Sequence, residues 1–160
     1  MDLMFLVSDT LDSRRSKIRQ FMDDEPAIAV LLAAADFEWT LRRAILLLGH
    51  DPNLDIRDGD LHKASGLWRY EKAWNNQVTP QYGRALSDVV PDWEYLEEKA
   101  MPLRHALIHG ERGTTSGSYA KDRVEAILAA TKAVVDFASG KGKNVFARLE
   151  VRPRTGIAND

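Results

Sequence analysis

The chain has 160 residues, with 22 Lys and Arg against 24 Asp and Glu for a net charge of −2. That length suits one domain with a single core, and the charge balance excludes a global field that draws in nucleic acid, leaving only local patches to do so. Cysteine is absent, which excludes disulfides, thiolate catalysis and cysteine-based zinc sites and fits a reducing cytoplasm.

The run from Met1 to Val7 is short and has no basic flank, so it reads as neither a secretory signal nor a membrane span. No other apolar run approaches the roughly 18 residues a spanning helix requires. A soluble, cytoplasmic protein with no membrane partner is expected. Apolar residues otherwise recur mostly at helical spacing. A first helix is expected from Thr10 to Met22, with Leu11, Ile18, Phe21 and Met22 near one face. Asp23-Asp24-Glu25-Pro26 reads as a stop and a restart, with Asp24 as N-cap and Pro26 in the first turn. The second helix then runs to Leu48, ahead of Gly49 as a C-terminal cap. Its stripe is Ile28, Leu31, Leu32, Ala35, Trp39 and Leu46, widened by Leu41, Ile45 and Leu48, and so apolar a helix belongs at the centre.

Asp51-Pro52-Asn53 and Asp58-Gly59-Asp60 mark a loop, after which a third helix spans Leu61 to Gln77, with Leu61, Ala64, Leu67, Trp68 and Val78 near helical spacing. Residues 79–91 form a connector with at most one helical turn. A fourth helix starts after Asp92 as N-cap and stops at Gly110. A fifth runs from Ser118 to Ala138 and turns Val124, Ile127, Leu128, Thr131, Val135 and Ala138 inward. Beyond Gly140, Val145, Ala147, Leu149 and Val151 alternate with Phe146, Arg148, Glu150 and Arg152, which is strand-like. This basic segment reads either as a short strand, pairing with the N-terminal run, or as a loose arm. Residues 1–140 are thus expected to form one all-α domain and residues 141–160 a basic C-terminal tail.

Chemistry concentrates in Arg104-His105-Ala106-Leu107-Ile108-His109-Gly110. Arginine binds phosphate through a planar fork and histidine moves protons near neutral pH; together they suffice to cleave RNA without a metal. In the fourth helix Trp93, Leu96, Ala100, Leu103 and Leu107 make a seam, with Arg104 at its edge. Met101, His105, Ile108 and His109 project to the other side. Met101 and Ile108 therefore read as a second buried surface, either a dimer interface or one wall of a cleft, against the plainer reading of scattered surface hydrophobics. Arg104 and His109 stand about 140° apart on an ideal helix, so they converge only across a groove. Pro102 removes a helical hydrogen bond and is expected to offset the two halves.

Arg-x4-His followed by glycine, late in a helical domain and ahead of one more amphipathic helix, resembles the HEPN superfamily. The resemblance implies an all-α, four- to five-helix up-and-down bundle acting as a metal-independent endoribonuclease, without cofactor, in a toxin–antitoxin or defence system. It implies Arg104 and His109 as catalytic residues. His109 exchanges protons with the ribose 2′-hydroxyl or the leaving 5′-oxygen, and Arg104 holds the scissile phosphate. His105 stands where the family commonly has a polar residue, often asparagine, and is a third catalytic candidate. The implied partners are an RNA substrate, a second copy of the chain in a homodimer that brings two motifs together, and an antitoxin protein. Family members without nuclease activity supply the alternative, a helical dimerisation or binding module partnering an antitoxin or a nucleotidyltransferase-like protein.

Other residues admit plainer roles. The resemblance implies an acidic or polar residue on an earlier helix near the motif, which makes Asp36 and Glu38 candidates to orient Arg104, although Glu38 and Arg42 also have the spacing of an intrahelical ion pair. His105 and His109 have the spacing of a zinc pair, but Ala106 replaces the glutamate that a metalloprotease needs there and no third ligand stands nearby, so no metal is expected. His50 and His62 border loops and read as surface histidines, and the four tryptophans read as core.

Overall fold

Thr10 accepts a hydrogen bond from the Ser13 amide at 3.1 Å and so opens the first helix, α1 (Leu11–Arg19), in the computed structural model, which describes residues 10–152. Pro26 opens α2 (Pro26–Leu48), where its missing N–H costs no helical bond. Glu25, not Asp24, precedes it as N-cap and makes no side-chain capping bond. Three short helices of the connecting regions, α3 (Asn53–Asp58), α5 (Thr79–Tyr82) and α6 (Leu86–Val89), surround α4 (Leu67–Gln77). The expected loop at 51–60 thus contains a helix, and the 79–91 connector holds two single turns rather than one. The third helix starts at Leu67, six residues later than its apolar spacing indicates. The last part comprises α7 (Trp93–Tyr95), a π-helical turn (Leu96–Ala100), α8 (Met101–Ile108) and α9 (Gly117–Gly140). Ser116 caps α9 through its side chain, which accepts the Tyr119 amide at 3.3 Å.

The central position expected of the second helix is observed: α2 packs against α1, α3, α4, α8 and α9, most extensively against α9. Its buried face is Ala29, Val30, Ala33, Ala34, Phe37, Leu41, Ala44, Ile45 and Leu48. The expected stripe is rotated from this face, for Ala35 is exposed and Ile28 is 39 % exposed. A helix apolar nearly all round has no single periodic face, so small side chains that admit a close neighbour decide which side is covered. On α9 the inward residues Val124, Ile127, Leu128, Thr131, Val135 and Ala138 are all buried, as their spacing requires. Gly49 ends α2 in an extended conformation, not a left-handed one. A Cβ there would lie 2.7 Å from the Ile45 carbonyl oxygen, which cannot move aside as a side-chain end can, and would crowd Gln77 Cβ at 3.2 Å, so the glycine is a packing requirement where α2 meets α4.

Among the described residues there is no strand, and the 141–152 segment is neither a strand nor a loose arm. It lies against α2 and α3 as irregular chain fastened by side-chain bonds. Arg43 donates to the Val145 carbonyl at 2.6 Å and to that of Ala147. Asn53 Nδ2 donates to the Glu150 carbonyl at 2.6 Å, and Arg152 donates at 2.8 Å to each of the Leu46 and Gly49 carbonyls at the end of α2. Those orphan helix carbonyls attract a guanidinium, a pull that alternation of side chains does not reveal. The Met1–Val7 run, with which a strand was to pair, lies outside the described residues. None of the described helices is long and apolar enough to cross a membrane.

Candidate functional site

Pro102 shapes the element that carries the motif. It cannot donate to the turn before it, and its ring crowds the carbonyl four residues back. The chain relieves this by widening to a π turn, in which the Met101 amide bonds to the Leu96 carbonyl. An i→i+5 turn brings Met101 towards the face of Leu96, where a regular α-helix would place it about 140° away. Met101 is accordingly buried, at 8 % exposure, within the single chain. Of the two residues assigned to an outer surface, only Ile108 remains outside, at 50 % exposure.

Arg104 projects from α8 towards α2, with its Nη2 3.7 Å from Glu38 Oε1; the two side chains are 23 % and 15 % exposed. Glu38 thus faces Arg104 rather than Arg42, which instead donates to the Leu61 carbonyl at 3.2 Å. Tyr70 shares this neighbourhood and donates to the Ala64 carbonyl at 3.3 Å. Burial, reinforced by the charge of Glu38, pushes its hydroxyl above the ordinary tyrosine value, while Arg42 and Arg104 oppose the shift. Asp36 does not join the site. Two positions from Glu38 on the helix, it is buried against Arg14 Nη1 at 2.7 Å, and burial raises its carboxyl against the lowering effect of that arginine.

His105 is exposed and lines a groove of about 250 Å³ with Leu67, Glu97, Pro102 and Arg104. His109 is the C-cap of α8, with its amide bonded to the His105 carbonyl at 3.0 Å. Its ring is not part of the groove wall, yet the centroid lies 4.2 Å from that of His105. The chain turns away at Gly110, whose φ of 72° is left-handed, as the helix stop expected there requires. The groove is electrostatically mixed. Glu97 stands in its wall, and burial together with the Glu97 charge holds the Glu71 carboxyl above the usual range.

The site therefore brings together Arg104, Glu38 and His105, with His109 joined through His105. Among the described residues no group of three or more His, Asp or Glu is arranged to hold a metal ion. His50 is bonded through Nδ1 to Gln77 Oε1 at 2.9 Å, and His62 is exposed. Trp74 is fully buried, but Trp68, next to the groove residue Leu67, is 60 % exposed and so is not a core residue. Leu61 and Ala64, against which its helical spacing is counted, lie before the true start of α4, which is why sequence periodicity assigns it inward. No protein-family model matches this chain, and no curated protein or solved structure matches it.

Proposed function

We propose that the chain is a metal-independent endoribonuclease of HEPN type. What supports this most is the placement of Arg104 and His105 on one open groove, with the His109 ring against His105. An RNA phosphate entering the groove meets the guanidinium fork, whose geometry matches two phosphate oxygens. His109 takes the proton of the adjacent ribose 2′-hydroxyl, the 2′-oxygen attacks phosphorus, and the P–O5′ bond breaks. The 5′-oxygen takes a proton from water as it leaves, giving a 2′,3′-cyclic phosphate and a 5′-hydroxyl end. Arg104 balances the charge that develops on the phosphoryl oxygens, while Glu38 orients the arginine. A second copy of the chain, contacting through the exposed Ile108, completes the enzyme as a homodimer in a toxin or defence system. Incubation of the purified protein with a panel of RNAs in EDTA tests this: cleavage is expected, and His109→Ala is expected to lower it about 10²–10⁴-fold. Intact RNA across the panel overturns the assignment.

One observation favours a second reading. Arg104 already faces a carboxylate at 3.7 Å, which a binding module needs and a phosphate site must compete with. In that case Ile108 is the contact of a partner protein such as an antitoxin or a nucleotidyltransferase-like chain. Wild-type protein that is inert towards RNA and in which Ile108→Asp abolishes self-association or partner binding supports this module.

A further inference from the structure

Two arginines outside the motif converge on one exposed tyrosine. The guanidinium carbon of Arg123 is 3.5 Å from the centre of the Tyr119 ring, and that of Arg112 is 4.8 Å from the same centre. Tyr119 is 40 % exposed, Arg112 is exposed and Arg123 half-buried. Tyr119 and Arg123 are four apart on α9, so helical geometry stacks them, and Arg123 Nη1 donates to the Tyr119 carbonyl at 3.0 Å. Arg112 arrives from the other side of the turn. Its amide bonds to the Ala106 carbonyl at 3.1 Å, which ties it to the last turn of α8, the turn that carries His105 and His109.

Nothing among the described residues neutralises this pair. Among the described residues no carboxylate lies within 4.0 Å of either guanidinium. Glu125, two residues beyond Arg123, is held in a two-bond fork by Arg19 at 3.0 and 2.7 Å. Asp122 and Glu111 are exposed neighbours in sequence and pair with neither arginine. Buried Arg123 Nε has no hydrogen-bond partner. Two like charges sharing one aromatic ring repel each other, and cation–π attraction offsets only about 0.5–1 kcal/mol per arginine at an exposed site. An anion between the forks removes the repulsion and satisfies their free N–H groups.

We propose that Arg112 and Arg123, held in place by Tyr119, clamp a backbone phosphate of single-stranded RNA beside the phosphate cleaved at Arg104 and His109. That the anion belongs to RNA rests on the nuclease function proposed above; the anion site itself rests on two converging guanidiniums that no described carboxylate pairs. The Tyr119 ring serves as the platform that fixes the guanidinium planes, and the short path from Arg112 back to His109 sets the two phosphates on one strand.

The test uses the full chain carrying His109→Ala, so that the probe stays intact, and a fluorescein-labelled oligouridylate followed by anisotropy across a potassium chloride series. Arg112→Gln with Arg123→Gln is expected to weaken binding about tenfold or more. It should also reduce the salt slope by about 0.7, the contribution of one phosphate contact on a single strand. Tyr119→Leu should weaken binding by releasing both forks. Should the double variant not fold, Arg112→Gln alone, at an exposed position, carries the same expectation in smaller size. Unchanged affinity and slope in these variants overturn the clamp. If wild type cleaves RNA and the double variant cleaves with unaltered KM, the clamp fails and the nuclease stands. If wild type cleaves nothing but the double variant loses oligouridylate binding, the clamp stands and the nuclease fails. Absence of binding by every form overturns the clamp, and the nuclease is then decided by cleavage of the RNA panel alone.

Discussion

The imidazole rings of His105 and His109 lie 4.2 Å apart, centroid to centroid, and are tilted by 45°. At that separation the two rings are in contact. Because His105 also walls the groove with Arg104, it joins two motif residues that a regular helix keeps on different sides.

His105→Phe and His105→Ala divide the contributions of this ring. Phenylalanine keeps the contact with His109 but has no nitrogen. If His105 positions His109, the Phe variant should cut RNA within about tenfold of wild type, whereas the Ala variant falls further, towards the ~10²-fold that a 1 Å misplacement costs. An equal loss of about 10²–10⁴-fold in both makes His105 a proton-transfer group in its own right. Single-turnover cleavage rates decide.

Glu38→Gln removes the charge that faces Arg104. Cleavage should fall by up to about 10²-fold through a misplaced fork, while Tm stays close to that of wild type because the 3.7 Å contact is too long for a hydrogen bond, so none is lost. A faster variant instead identifies Glu38 as a competitor of phosphate for Arg104. Paired measurements of rate and thermal unfolding distinguish these results.

Arg14 and Asp36 form an ion pair with side chains only 2 % and 1 % exposed. Arg14→Met leaves a buried carboxylate without its cation and should cost about 3–5 kcal/mol in urea denaturation. Combining it with Asp36→Leu should recover most of the loss, because the second substitution removes the stranded charge. Equal instability of the single and double variants contradicts this account.

Glu71 gives a pH dependence with a definite sign. Its carboxyl is held above the usual range, chiefly by burial and then by Glu97. A carboxyl raised in the folded state contributes stability that is full below its unfolded value and lost as pH rises through the folded one. At neutral pH the ionised Glu71 is therefore unfavourable, and Glu71→Gln should raise Tm there. The gain should shrink as pH falls through the raised value and vanish below the ordinary range of glutamate. Thermal melts of both proteins across that interval provide the check.

The inward face of α9 and the limits of α2 were legible because each rests on a local signal, a clean 3.6-residue period in one case and Pro26 and Gly49 in the other. The face of α2 was not, since its apolar residues nearly encircle it. Ideal-helix spacing puts Met101 outward because it cannot register the extra residue that Pro102 forces into the turn. Spacing alone allows Glu38 either Arg104 or a local i,i+4 pair with Arg42, and only tertiary packing separates the two. Arg112 and Tyr119 lie in and after a polar turn, where spacing alone gives no neighbour, although Tyr119 and Arg123 already stood one helical turn apart.

Trp39 touches three parts of the chain at once. The Arg14 guanidinium of α1 lies 4.1 Å from its ring centre, Arg43 lies 4.9 Å away, and Phe146 of the final segment stacks on it with centroids 6.1 Å apart. Residues 132 positions apart in sequence, 14 and 146, therefore meet at a single fluorophore. Its emission should change when either end of the fold lets go, so the indole serves as a built-in optical gauge of closure. With Trp68, Trp74 and Trp93 replaced by phenylalanine, a stopped-flow trace of Trp39 would time the moment at which the beginning and the end of the described chain come together.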